Sequence, residues 1–191
     1  MTHTQHDTSS MINLGFWTYI MTDCILFGIL FATYAVLHNN TFGAPTAKEI
    51  FVPAHALAET LILLTSSFCC ALAGVGARLE DKRKVLFWFG VTFLLGVSFL
   101  FLEGFEFVKL RSEGALWEKS GFLSAFFTLV GTHGCHITVG LLWMIVMMFQ
   151  VAFRGFTPFT QRRLSSLRLF WHFLDIVWIF IFTLVYMMGV L

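Results

Sequence analysis

Long apolar stretches alternate with short polar connections along this chain, and the length of the stretches sets the reading. Five of them run near Gly15–Leu37, Pro53–Ala77, Val85–Phe107, Phe122–Phe153 and Leu167–Val190. Each holds about twenty residues or more, enough for an α-helix to cross a hydrocarbon core of ~30 Å. The pattern predicts an all-α fold, an integral membrane bundle of five transmembrane helices. The fourth stretch exceeds a perpendicular crossing, so its helix tilts or projects from the bilayer. Pro45, Pro53 and Pro158 all fall in connections or at a helix start, and Pro53 suits a first helical turn, where a missing N–H costs nothing. No repeat or linker divides residues 15–191, which read as one membrane domain. Residues 1–14 lack the basic segment of a cleavable signal. They read as a short disordered polar tail, with His3 and His6 in solvent.

Composition points the same way. Of 191 residues, 58% are hydrophobic, 12% are charged and 24 are phenylalanine. One soluble core could not hide that much apolar surface. A net charge of +1 and the absence of a basic run with interleaved aromatics exclude nucleic acid as a partner. Cys24, Cys69, Cys70 and Cys135 fall inside apolar spans without CxxC or zinc-ligand spacing, so they read as small packing residues.

Lysine and arginine in short connections orient the bundle. One side carries Arg78, Lys82, Arg83, Lys84, Arg154, Arg162, Arg163 and Arg168; the other carries Lys48, Lys109, Arg111 and Lys119. The richer side is expected in the cytoplasm together with the N-terminus. Five crossings then put the C-terminus in the periplasm.

Ionisable residues inside apolar helices are the candidate chemistry, because lipid makes them costly. They are Asp23 on the first helix, Glu59 on the second, Glu103 and Glu106 on the third, His133 and His136 on the fourth, and His172 and Asp175 on the fifth. Glu103 and Glu106 lie toward the outer end of their helix, within reach of the interface. The fifth helix tolerates its pair. Twelve Leu, Ile, Val and Phe residues between Leu169 and Val185 contribute about −0.3 to −0.6 kcal/mol each, against about +2.5 to +3.5 for an Asp.

Helical spacing sorts these residues onto faces. Arg168, His172, Asp175, Ile179, Phe182 and Tyr186 step by four and three, so they form one stripe. Ser124, Thr128, Gly131, Cys135 and Thr138 form a small-residue seam on the fourth helix, roughly opposite His133, His136 and Gly140. Such a seam lets another backbone approach, so that helix is expected to have protein neighbours on two sides. Ser66, Cys70, Ala73 and Ala77 align with Glu59, and Tyr19, Asp23 and Tyr34 share a face. By depth, Asp23 matches His172 and Asp175 in the inner half, which predicts contact between Asp23 and the fifth helix. His133 and His136 lie near the middle, and the three glutamates in the outer half.

Three chemistries fit the polar pair on the fifth helix: a metal site, a proton relay and a hydrogen bond between helices. A metal needs three or four converging ligands with oriented partners. His133, His136, His172 and Asp175 suffice in number but match no such spacing, and facing glutamates of a di-iron bundle are missing at that depth. His136 with His172 offers one axial pair for a haem and nothing offers a second. Hydrogen bonds between membrane helices average only ~0.6 kcal/mol, up to ~2, so their value lies in register and partner choice.

Three longer motifs resemble a known family. SGFLSAFFTLVGTHGCHITVG (Ser120–Gly140) is similar to the penultimate helix of heme–copper oxidase subunit III, with its TGxHGxHV-type core. WHFLDIVWIFIFTLVYMMG (Trp171–Gly189) resembles that family's terminal WHFVDVVW-type helix. GFWTYIMTDCILFGILFATYAVL (Gly15–Leu37) resembles the helix carrying the family's buried carboxylate, usually Glu and here Asp23. Five helices instead of seven resemble the short form found in cytochrome bo-type ubiquinol oxidases.

The resemblance implies a non-catalytic subunit of a proton-pumping terminal oxidase in the bacterial inner membrane. Haem and copper would then belong to subunit I, with ubiquinol handled by the complex. Subunits I, II and IV and membrane lipids would be the partners, and structural phospholipid the only small molecule expected on this chain. The resemblance also implies that subunit III buttresses subunit I and helps maintain activity over many turnovers. On this reading Asp23, Glu59, His133, His136, His172 and Asp175, with Glu103 and Glu106 beside them, are buried interhelical or lipid contacts, and none is catalytic. Two alternatives stay open from the residues alone: a stand-alone proton-coupled transporter, and subunit III of a cytochrome c oxidase.

Overall fold

The computed structural model describes residues 2–38, 53–112 and 120–187. It contains five long helices: α1 (Thr2–Leu37), α2 (Pro53–Arg78), α3 (Lys82–Ser112), α4 (Gly121–Arg154) and α5 (Pro158–Ile181), the last running on into a π-helical turn, Phe182–Met187. All five contain a stretch long and apolar enough to cross a membrane. The apolar pattern therefore located each helix, with differences at the ends. α1 extends back to Thr2, so the segment expected as an irregular tail continues the helix; once a helix is nucleated, each added residue gains a hydrogen bond at small cost. α5 begins at Pro158, well before Leu167, because Thr157 caps it: its hydroxyl accepts from the Thr160 N–H and proline occupies the first turn. Lys48, Lys119, Pro45 and the end of the fifth span at Val190 lie outside the described residues.

At 34 residues, α4 is about 50 Å long, beyond a ~30 Å core. Ser120 caps its start, accepting from Leu123 N–H, and Gly155 ends it with φ of 70°, a left-handed conformation that glycine adopts freely. Asp81 begins α3, its carboxylate accepting from the N–H groups of Arg83 at 3.1 Å and Lys84 at 3.3 Å. Those backbone bonds, with the Lys84 ammonium, hold the Asp81 carboxyl below its ordinary range. The α2–α3 and α4–α5 turns lie at the same end of the bundle. Gln161 donates to Glu80 across them at 3.3 Å.

α5 is the central helix. It packs against α2, α4 and, more lightly, α1; α3 packs against α2 and α4; α1 lies along α4. Trp171, Leu174 and Trp178 of α5 are buried to 1% or less, as are Phe99 of α3 and Met144 of α4. Phe68, Phe87, Leu94, Phe101 and Phe153 stand on the outer surface, the expected inversion when lipid is the solvent.

Close approach depends on two glycines facing the same indole. A Cβ at Gly96 would lie 2.9 Å from Trp171 and from Leu141, and one at Gly140 would lie 3.2 Å from Trp171 and Phe170. Gly96→Val is expected to destabilise the bundle by about 1–3 kcal/mol through overpacking, read as a lower thermal unfolding midpoint in detergent. Gly90→Val, where a Cβ meets nothing within 4 Å, is the control.

Candidate functional site

The buried polar residues assemble into three separate groups. The first joins α2 and α5. Ser67 Oγ lies 2.6 Å from His172 Nδ1. One residue away, Ser66 donates to the Thr92 carbonyl of α3 at 3.3 Å and accepts from Trp171 Nε1 at 3.1 Å. Farther along, Trp178 Nε1 donates to Thr60 Oγ1 at 3.1 Å. The helices are antiparallel, so residues rising along α5 meet residues falling along α2. His172 is thus an interhelical contact. Asp175, on the same stripe, is 6% exposed and lies beside the Ser67 hydroxyl that also faces His172. Arg168 lies across the α2 backbone at Gly74, where a side chain would collide with its guanidinium.

The second group joins α1 and α4. His136 Nδ1 stands 2.7 Å from the Thr132 carbonyl, so that nitrogen carries hydrogen. Its Nε2 faces Asp23 Oδ1 at 3.7 Å. Asp23 was expected against the fifth helix and instead meets the fourth, because α1 lies along α4. His133, a turn away, is fully buried among rings: Trp178 at 5.3 Å, Phe99 at 5.9 Å and Phe27 at 6.4 Å between centroids. Neither of its nitrogens has a partner among the described residues.

The third group holds the glutamates. Glu59 of α2 and Glu103 and Glu106 of α3 are near enough to interact electrostatically, and Tyr186 of the π turn donates to Glu106 Oε2 at 3.3 Å. Glu103 was expected within reach of the interface; it is 5% exposed and points into the bundle. A π turn changes the angular step of the helix, which places both Val185 and Tyr186 inside.

Glu59, Ser66, Cys70, Ala73 and Ala77 do form one buried face. On the α4 seam Thr128, Cys135 and Thr138 are exposed and a Cβ at Gly131 would lie 3.9 Å from Phe107 of α3, while His133 and Gly140 opposite face the core. Tyr19 is 41% exposed but reaches Asp23 on the face they share with Tyr34, and the buried residues of α1 are Ile20, Asp23, Phe27 and Tyr34. Ile179 on the α5 stripe is 42% exposed. Cys69 and Cys70 are buried packing residues, whereas Cys24 and Cys135 lie on the outer surface. Thr60, Ser66, Ser67, Trp171 and Trp178 were not singled out as polar contacts. The signal was available in tryptophans seven residues apart on α5 and hydroxyls six apart on α2. Among the described residues, no group of three or more His, Cys, Asp or Glu side chains could hold a metal ion.

A double-mutant cycle on Ser67→Ala and His172→Ala should give a coupling of roughly 0.6–2 kcal/mol in unfolding free energy. Additive single effects would show that the 2.6 Å contact carries no energy.

Comparison with known proteins adds what geometry alone does not. The family described as cytochrome c oxidase subunit III matches residues 2–190. Cytochrome bo(3) ubiquinol oxidase subunit 3 of Pseudomonas putida is 52% identical over 97% of this chain and 90% of its own length. Quinol oxidase subunit 3 of Bacillus subtilis is 43% identical over 97% of this chain and 91% of its own. Cytochrome c oxidase subunit 3 of Bacillus sp. strain PS3 is 44% identical over 92% of this chain and 85% of its own.

Proposed function

This chain belongs to the cytochrome c oxidase subunit III family, and from that membership we infer that it is the third subunit of a cytochrome bo-type ubiquinol oxidase in the bacterial inner membrane. The observation that carries the reading is the near full-length similarity to relatives named for that role. The relative named for a cytochrome c oxidase, at 44%, is less similar than the three cytochrome bo(3) relatives, at 47–52%, which favours ubiquinol as the electron donor. The three dispersed polar groups support a structural rather than a transporting role, since a relay across the membrane calls for groups in sequence.

The chemistry then resides in a neighbouring subunit I, which holds haem and copper, with subunits II and IV completing the complex and ubiquinol oxidised outside this chain. The excess of lysine and arginine at the end bearing the α2–α3 and α4–α5 turns supports a cytoplasmic N-terminus and a periplasmic C-terminus. The side chains named here stiffen the subunit. His172 and Ser67 hold α5 to α2, Asp23 and His136 hold α1 to α4, and the Tyr186–Glu106 bond ties the C-terminal turn to α3. Phospholipid fills apolar grooves on the outer surface.

Affinity purification of the tagged chain in mild detergent is expected to bring a haem- and copper-containing partner with ubiquinol oxidase activity. A complex that oxidises reduced cytochrome c instead would assign the other donor. A chain that purifies alone and moves protons in liposomes would replace the reading altogether. Within the complex, His172→Ala should leave initial turnover near the parent value and shorten the period over which activity lasts; unchanged durability would remove this role from the pair.

A further inference from the structure

Asp23 faces the His136 imidazole, and Asp175 the Ser67 hydroxyl. The three glutamates face one another instead. Glu59 of α2 lies within electrostatic reach of Glu106, and Glu103 within reach of both. Their burial is graded: Glu59 is 2% exposed and Glu103 5%, while Glu106 is half-buried. Their partners are graded too. Glu106 accepts from the Tyr186 hydroxyl at 3.3 Å, and the exposed side chains of His55 and Lys109 stand near it. By contrast, both oxygens of Glu103 and Oε2 of Glu59 are buried without a hydrogen-bond partner among the described residues. Other elements add little charge here. α4 carries no titratable side chain between Gly121 and Thr132, and the π turn brings Tyr186 alone.

A carboxylate buried among apolar groups needs donors, and without them it takes up a proton. A second carboxyl nearby acts in the same direction, because like charges resist sharing a site. Among the described residues no three acids, histidines or cysteines are placed to hold a metal ion, so the cation that fits this cluster is the proton. We propose that Glu59 and Glu103 form a proton-binding site between α2 and α3, with Glu106 as its charged member on the side of water. Each protonation forms one O–H bond on a carboxyl and breaks one in a hydronium ion at the aqueous boundary. It also supplies what the cluster lacks, since a neutral acid has an O–H to donate to its neighbour's oxygen. Glu59 lies within about two turns of Pro53 and Glu106 within about two turns of Ser112. The site therefore stands toward the end of the bundle opposite the α2–α3 and α4–α5 turns, close enough to that surface to exchange its protons. It is separate from the Asp23–His136 and Ser67–His172 contacts and independent of the electron donor.

The test is infrared difference spectroscopy of the detergent-purified assembly at neutral pH. A protonated carboxylic acid has a carbonyl-stretch band distinct from that of a carboxylate or an amide, and the band shifts in D2O once the acid has exchanged. Glu59→Gln and Glu103→Gln should each remove the acid-band intensity of one carboxyl. Glu106→Gln should retain the parent acid band and lose carboxylate intensity instead. Glutamine copies the shape and donor of a neutral acid, so both of the first two variants should assemble as the parent does, and either decides the point where the other does not assemble. The acid intensity that they remove should shift when the parent is transferred to D2O. An intact acid band in either variant, loss of carboxylate intensity in its place, or an acid band that stays unshifted in D2O would each overturn the site. Failure of both variants to assemble would overturn it as well, because it would show that charged carboxylates are required. The bands are read in the resting protein with no donor added, so failure of the quinol assignment and failure of this site are separately visible.

Discussion

A lipid-solvated bundle offers no water to a buried polar group, so each such group must find its partner inside the protein. Ser66 is where that constraint draws three helices together. It accepts from the Trp171 indole of α5 and donates to the Thr92 carbonyl of α3, while standing on α2 itself. The Trp171 ring in turn fills the space left by Gly96 of α3 and Gly140 of α4. One tryptophan thus meets three helices besides its own, through one hydrogen bond and two glycine notches. Moving α5 along its axis would break the Trp171–Ser66, His172–Ser67 and Trp178–Thr60 contacts together, which is how bonds of modest individual strength can specify one register.

The same constraint brings His172 and Asp175, adjacent on one stripe, to a single hydroxyl, that of Ser67 on α2. Glu103 and His133 have no hydrogen-bond partner for either side-chain polar atom among the described residues. These side chains are tolerated by a bundle whose apolar helices have insertion energy in excess.

Much of this arrangement was legible along the chain. Apolar runs of sufficient length located all five helices, because a hydrocarbon layer accepts few alternatives to a helix. Spacing found the buried face of α2, where glutamate and small residues align, and the motifs around His133 and Trp171 pointed to the family. Spacing grouped the seam of α4 without saying what covers it. A small-residue face suits a neighbour in this chain and one in another equally well, and only packing distinguishes them. Depth matching misassigned the partner of Asp23 for a related reason: α4 and α5 both pass near it, and depth carries no information about which helix is adjacent.

The sequence by itself determined that this is a five-helix membrane protein, which residues would be costly in lipid, and which family it joins. These follow from composition, run length and motif, properties that survive in one dimension. Tertiary structure alone decided that Asp23 meets His136 and that Glu103 turns inward beside Glu59 and Tyr186. Each depends on azimuth between helices that are distant in sequence. In a bilayer, where apolar faces are equally content against lipid or protein, azimuth is set by the few hydrogen bonds and glycine notches between helices, and those contacts exist only once the helices have packed.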